Sequence, residues 1–291
     1  MPETTQVTQP DGFASSTFHW PASTDPVGVV FVAHGMGEHS LRYDTFAREL
    51  AAAGYHVYAA EHRGHGKPAE QNNSLGDFGP AGFPVLASDL VTLVGYARDR
   101  HPELPLTLFG HSMGSFVAQL FLLDNSSKVD AAILSGSSAL DLLGEALASA
   151  PADDGGPFAP FNAAFQPART DFDWLSRDEK QVDLYIQDPL CGFAAAPDSF
   201  GSMLQAGESL ADPAKLKCVR PDLPILIFSG DRDPVGGEAA GFVRELKARY
   251  EAAGLRRVSL SIYSDGRHEM LNETNRKEVV ADVISWLRAN T

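Results

Sequence analysis

The run Val27-Gly28-Val29-Val30-Phe31-Val32-Ala33 carries no polar alternation and ends in a glycine-rich turn, which predicts a strand buried on both faces. Tyr43, Phe46, Ala47, Leu50 and Ala53 then recur at helical spacing, and Gly54 ends the helix they predict. Residues 55–60 read as a second strand, and Val85, Leu86, Leu90, Leu93, Val94 and Ala97 as a second amphipathic helix. Residues 106–109, 116–123 and 131–134 repeat strand, helix and strand. Such alternation over short connections predicts an α/β fold, a mostly parallel sheet with helices on both faces.

From about Ser137 to Phe200 the rhythm breaks. Pro151, Gly155-Gly156-Pro157 and Pro160 interrupt helical pieces, and no strand of convincing length appears. The pattern resumes with a strand at 225–228, a helix at 242–250, a strand at 258–263, and a last helix on Val279, Val280, Val283, Ile284 and Leu287. The expected organisation is one α/β core (1–136 and 201–291) with an inserted, mainly helical cap (137–200).

Charge narrows the function classes. With 23 Lys plus Arg against 38 Asp plus Glu, the net charge is −15, so a nucleic-acid partner or an anionic membrane surface is excluded on electrostatic grounds. No apolar run approaches the ~18 residues of a membrane-spanning helix, and the first residues lack the basic and apolar regions of a secretory signal. A cytoplasmic location is the expectation, with Cys191 and Cys218 as reduced thiols outside any metal-ligand spacing.

Gly110-His111-Ser112-Met113-Gly114 fits G-x-S-x-G between a predicted strand and a predicted helix. That context favours a nucleophilic serine on a sharp turn, flanked by small residues because the backbone passes too close for side chains. A serine needs a base, and the base an orienting acid. His268 is the only histidine after the last strand. Asp231 and Asp233 both follow the strand at 225–228; Asp233 reaches more easily toward the next loop, while Asp231 suits a turn or cap. The oxyanion formed in acyl transfer needs two backbone donors, expected from Met113 and, in the glycine-rich turn His34-Gly35-Met36-Gly37, from Met36.

Five ordered motifs carry a resemblance across nearly the whole chain. They are His34-Gly35-Met36-Gly37-Glu38-His39-Ser40-Leu41-Arg42-Tyr43, Arg63-Gly64-His65-Gly66, residues 110–114, Asp188-Pro189-Leu190-Cys191, and Arg267-His268-Glu269-Met270-Leu271-Asn272-Glu273. Together they resemble the monoglyceride lipase and lysophospholipase branch of the α/β-hydrolases, a branch often filed with the serine aminopeptidases. The resemblance implies a cofactor-free esterase for lipid-like esters, with Ser112 as nucleophile, His268 as base, Asp233 as acid, and Met36 and Met113 as oxyanion donors. Its pattern places the acid three residues after the strand-end glycine, which matches Gly230 and Asp233. Ser115 departs from it, since a further glycine is common there.

Leu140, Leu143, Leu147, Phe158, Phe161 and Phe165 form apolar stripes in the insertion that suit either an acyl pocket or the cap's own seating. The insertion holds eleven acids against three bases, a net −8. That excess predicts a preference for neutral or cationic substrates over anionic ones, weakened by salt. Transient contact of the cap with a lipid surface fits the same reading. The rivals are an aminopeptidase-type amide hydrolase on the same residues and a non-catalytic binding protein of the same fold.

Overall fold

In a computed structural model, which describes residues 1–150 and 158–291, eight strands form one sheet. They are β1 (Glu3–Thr8), β2 (Ala14–Trp20), β3 (Gly28–Ala33), β4 (Tyr55–Ala60), β5 (Leu106–His111), β6 (Ala131–Ser135), β7 (Ile225–Gly230) and β8 (Val258–Tyr263). Their spatial order is β1-β2-β4-β3-β5-β6-β7-β8; β2 is antiparallel to both its neighbours, and all later pairs are parallel. The helices are α1 (Asp44–Ala52), α2 (Gly66–Gln71), α3 (Pro84–Arg100), α4 (Met113–Asn125), α5 (Leu140–Ser149), α6 (Ala159–Asn162), α7 (Glu179–Gln187), α8 (Pro197–Ala211), α9 (Pro213–Leu216), α10 (Gly241–Ala252) and α11 (Arg276–Asn290). No described helix is long and apolar enough to cross a membrane.

The unbroken apolar strands follow from two separate cores. In β3, Val29, Phe31 and Ala33 face the layer built with α3, α4 and α10, whereas Val30 and Val32 face the layer of α1 and α11. β7 divides the same way, Ile225 and Ile227 to the first layer and Leu226 and Phe228 to the second. A strand covered on both faces gains from apolar residues at every position.

The described elements between β6 and β7 are all helical, α5 to α9 with short 3-10 turns. Helix α8 packs on α5 and continues to Ala211, so position 200 falls inside a helix. Pro151, Asp153, Asp154 and Gly155-Gly156-Pro157 lie outside the described residues. Cys191 and Cys218 are free thiols.

Candidate active site

Ser112 sits between β5 and α4 with φ 51° and ψ −123°, a strained setting for a residue with a Cβ, of the kind that costs roughly 1–3 kcal/mol and is held by its surroundings. Those surroundings explain the glycines. A Cβ on Gly114 would strike the Ala33 and His34 carbonyls, and one on Gly110 would strike the backbone of Gly114 and Ser115. Ser115 is accommodated because its hydroxyl donates to the Ser112 carbonyl at 2.6 Å and lies 2.8 Å from Ser137 Oγ, which also accepts from the Gln119 amide at 2.9 Å. The residue that departs from the glycine pattern thus ties the turn to the loop after β6.

His268 follows β8 and Asp233 follows β7, so both leave the carboxyl edge of the sheet beside Ser112. The Asp233 oxygens lie 2.9 and 3.0 Å from His268 Nδ1, with both residues buried. Asp233 also accepts from Ser229 Oγ at 3.1 Å and from the Val235 N–H at 2.9 Å, so the carboxylate that meets the imidazole also caps the turn after it. Asp231 makes no hydrogen bond to His268 among the described residues, and its N–H donates to the Tyr263 carbonyl at 3.1 Å. Burial works against charge on the imidazole, but the Asp233 carboxylate, with Glu269 and Glu38 beyond it, lifts the His268 pKa above the ordinary 6.5. With Nδ1 committed to Asp233, Nε2 is the nitrogen left for proton transfer in the pocket that His268 and Ser112 both line.

The Met36 and Met113 backbone N–H groups have no hydrogen-bond partner among the described residues, and both methionines line that pocket. Met113 opens α4, where free N–H groups and the helix dipole favour negative charge. The turn holding Met36 is braced by Glu38, whose carboxylate accepts from the Gly35 N–H at 2.5 Å, Tyr43 Oη at 2.8 Å and Arg42 at 2.7 Å. Arg42 in turn grips Glu269, next to His268, through bonds of 2.6 and 2.8 Å. Burial opposes charge on both carboxylates, yet Arg42 draws the pKa of each below the usual glutamate value. Sequence reasoning assigned these residues no role, although Glu38 and Arg42 belong to the motif at 34–43 and Glu269 to that at 267–273. Trp174 was missed outright; its ring lies 4.9 Å from that of His268, and its carbonyl accepts the His268 N–H at 3.3 Å.

Beyond Ser112 the pocket is walled by Phe116, Leu143, Leu147, Phe158, Phe161 and Met203 among others. Four of the six stripe residues of the insertion therefore line it. Leu140 is instead buried in the core, and Phe165 lies under the Arg267 guanidinium, 4.4 Å from its ring centre. Among the described residues, the only carboxylates of the lining, Glu38 and Glu269, are those already paired with Arg42. Several acids of the insertion are also paired: Asp141 with Arg249 at 2.7 Å, Asp183 with Arg169 at 2.6 Å, and Asp188 with His39 at 2.9 Å.

The family model described as serine aminopeptidase, S33 matches residues 24–275. The chain is 33% identical over 274 residues to a monoacylglycerol lipase of Mycolicibacterium smegmatis, covering 92% of this chain and 90% of that one. It is 27% identical over 280 residues to the monoglyceride lipase of Rattus norvegicus, covering 92% and 85%. Among solved structures, a thermostable carboxyl esterase from Bacillus coagulans in complex with glycerol superposes with a TM-score of 0.87 at 27% identity, over 99% of this chain and 98% of that one. The sheet order described above is thus that of an α/β-hydrolase.

Proposed function

The chain belongs to the serine aminopeptidase S33 family of α/β-hydrolases, and from that premise we propose that it is a serine esterase for neutral lipid esters of the monoacylglycerol or lysophospholipid kind. Ser112 is the nucleophile, His268 the base, Asp233 the acid, and the Met36 and Met113 N–H groups the oxyanion donors. The observation that carries the reading is one pocket in which Ser112, the Asp233-bound His268 and both donors meet a wall of apolar side chains.

In the proposed reaction Ser112 Oγ bonds to the ester carbonyl carbon as its proton passes to His268 Nε2. The negative oxygen is met by the Met36 and Met113 N–H groups. Collapse breaks the bond to the alcohol, which leaves with the proton from His268. Water then adds to the acyl-enzyme by the same route, releasing the fatty acid and restoring the serine. Helix α7 exposes Leu184 (60%) and Ile186 (46%), which suits transient contact of the cap with a lipid surface.

An aminopeptidase would need a carboxylate for the substrate's ammonium group, and among the described residues both carboxylates that line the pocket are engaged by Arg42. A panel of monoacylglycerols, lysophospholipids and aminoacyl amides, run at two salt concentrations, tests the choice. Ester turnover that vanishes in Ser112→Ala, with loss of fluorophosphonate labelling, is the expected result. Turnover of the amides alone would overturn the ester reading, and labelling that survives the substitution would overturn the role of Ser112.

A further inference from the structure

At the opposite end of the sheet, three histidines from three elements converge. His19 lies on β2, His56 opens β4, and His101 caps the end of α3. One ring nitrogen from each lies within 4.8 Å of the other two. The β2–β4 pairing sets His19 opposite Tyr58, and His56 is two residues along the same strand, so all three rings share one face. His19 stacks on Tyr58 with centroids 4.3 Å apart, and His56 stacks on His101 at 3.9 Å.

The hydrogen bonds around the cluster decide which nitrogens carry protons. Glu3 Oε2 lies 3.0 Å from His19 Nδ1, which places the proton of that ring on Nδ1 and leaves a lone pair on Nε2. The Ala22 N–H points at His56 Nδ1 from 3.3 Å, so that nitrogen carries no proton, and its single lone pair has to turn from Ala22 to meet an ion. These two acceptor nitrogens, His19 Nε2 and His56 Nδ1, face each other at 3.2 Å. Two lone pairs so close repel unless a cation stands between them. A carboxylate behind a histidine that presents its other nitrogen is also the usual second support of a metal ligand.

We propose that His19, His56 and His101 form a binding site for one zinc-class divalent ion, with water completing a tetrahedral set. Tetrahedral zinc with bonds of roughly 2.0–2.1 Å spaces its nitrogens roughly 3.3 Å apart. The His19–His56 edge already has that spacing, and rotation of the half-buried His56 and His101 side chains out of their stack would turn their in-plane lone pairs onto the same ion. Imidazole donors favour zinc, copper and nickel over calcium or magnesium. Tyr58 Oη, 2.9 Å from His101 Nε2, orients the third ring, and Arg100 is held over Tyr96, 3.5 Å from its ring centre. Such an ion would fasten the β1–β2 hairpin to β4 and to the end of α3.

The test is calorimetric titration of chelator-treated full-length protein with zinc chloride at pH 7.5, alongside zinc-edge X-ray absorption. One ion per chain is expected, with a histidine-rich shell. Affinity should fall at least tenfold in His56→Ala and in His101→Gln, and roughly tenfold in Glu3→Gln, with circular dichroism unchanged. Cys191→Ser should leave binding intact, because Cys191 belongs to a second donor set with His39 and Asp188. Two results would overturn the site: no zinc uptake at millimolar concentration, which would leave a shared proton as the bridging cation, or uptake lost in Cys191→Ser and retained in His56→Ala.

Discussion

Arg42→Met would isolate the ion network behind the candidate active site. The side chains of Arg42, Glu38 and Glu269 are only 12%, 4% and 7% exposed, so the pair energies are little screened. Methionine keeps the aliphatic packing but removes three charge-assisted bonds of 2.6 to 2.8 Å and strands two carboxylates. Breaking a buried pair from one side costs roughly 3–5 kcal/mol, and at about 2–3 °C per kcal/mol for a domain this long the melting midpoint should drop roughly 6–15 °C. The sign of the pH dependence should also invert. In the wild type both glutamates have lowered pKa values, so their stabilisation is present above the ordinary glutamate pKa of 4.5 and is lost as pH falls through the lowered values. Without Arg42, burial, the first cause for both, is opposed only by His111 and, at Glu38, by His34 and the Tyr43 hydroxyl, so both pKa values should rise and the variant should gain stability as pH falls from 8 toward 5. Catalysis should suffer in kcat more than in KM, by at least tenfold, because Glu38 holds the turn of Met36 and Glu269 adjoins His268. Melting curves across pH and ester kinetics read all three effects. Adding Glu38→Gln and Glu269→Gln to Arg42→Met should recover part of the lost stability. A midpoint within 2 °C of wild type, or no recovery in the triple variant, would refute the reasoning.

Asp233→Asn should lower kcat by roughly 10⁴-fold while circular dichroism stays native, since the imidazole loses the partner that sets its tautomer. The acidic limb of kcat/KM in the wild type should lie above pH 6.5, because the base must be neutral and its pKa is raised; in Asp233→Asn that limb should move to lower pH. Leu147→Trp, which fills part of the apolar wall, should cut hydrolysis of long-chain esters at least tenfold and spare short ones, as a chain-length series would reveal. Gly114→Ala should destabilise the protein by about 3 kcal/mol or more in denaturant unfolding, since its methyl group meets backbone carbonyls that cannot rotate away.

The parallel strands were legible because burial on both faces leaves a continuous apolar run, as in β3 and β7, that few other environments select. The β1–β2 hairpin gave no such signal. Val7 is the one buried residue of β1, and β2 buries Ser15, Ser16 and Thr17. Side chains hold that hairpin instead, Gln6 to Ser16 at 2.9 Å and Gln9 to Ser15 at 3.2 Å, and polar residues that bond across strands look like a loop in one dimension.

The same distinction separates what was legible in the candidate site from what was not. Ser112, Asp233 and His268 each follow a strand that hydropathy reveals, so their convergence at one sheet edge is a consequence of topology. Nothing in the sequence marks Glu38 and Arg42 as a buried pair, and only the return of the chain 227 residues later, with Glu269, completes their network. The acids of the insertion behave likewise. Asp141 finds Arg249 on α10, 108 residues away, and Asp188 finds His39 from the turn after β3. The Arg249 guanidinium, which lies outside that sum, offsets one charge of the field that a free −8 would set up at the pocket mouth. Salt should therefore shift the choice between anionic and neutral esters less than that sum suggests, and a selectivity ratio that changes steeply with ionic strength would mean that these pairs open in solution.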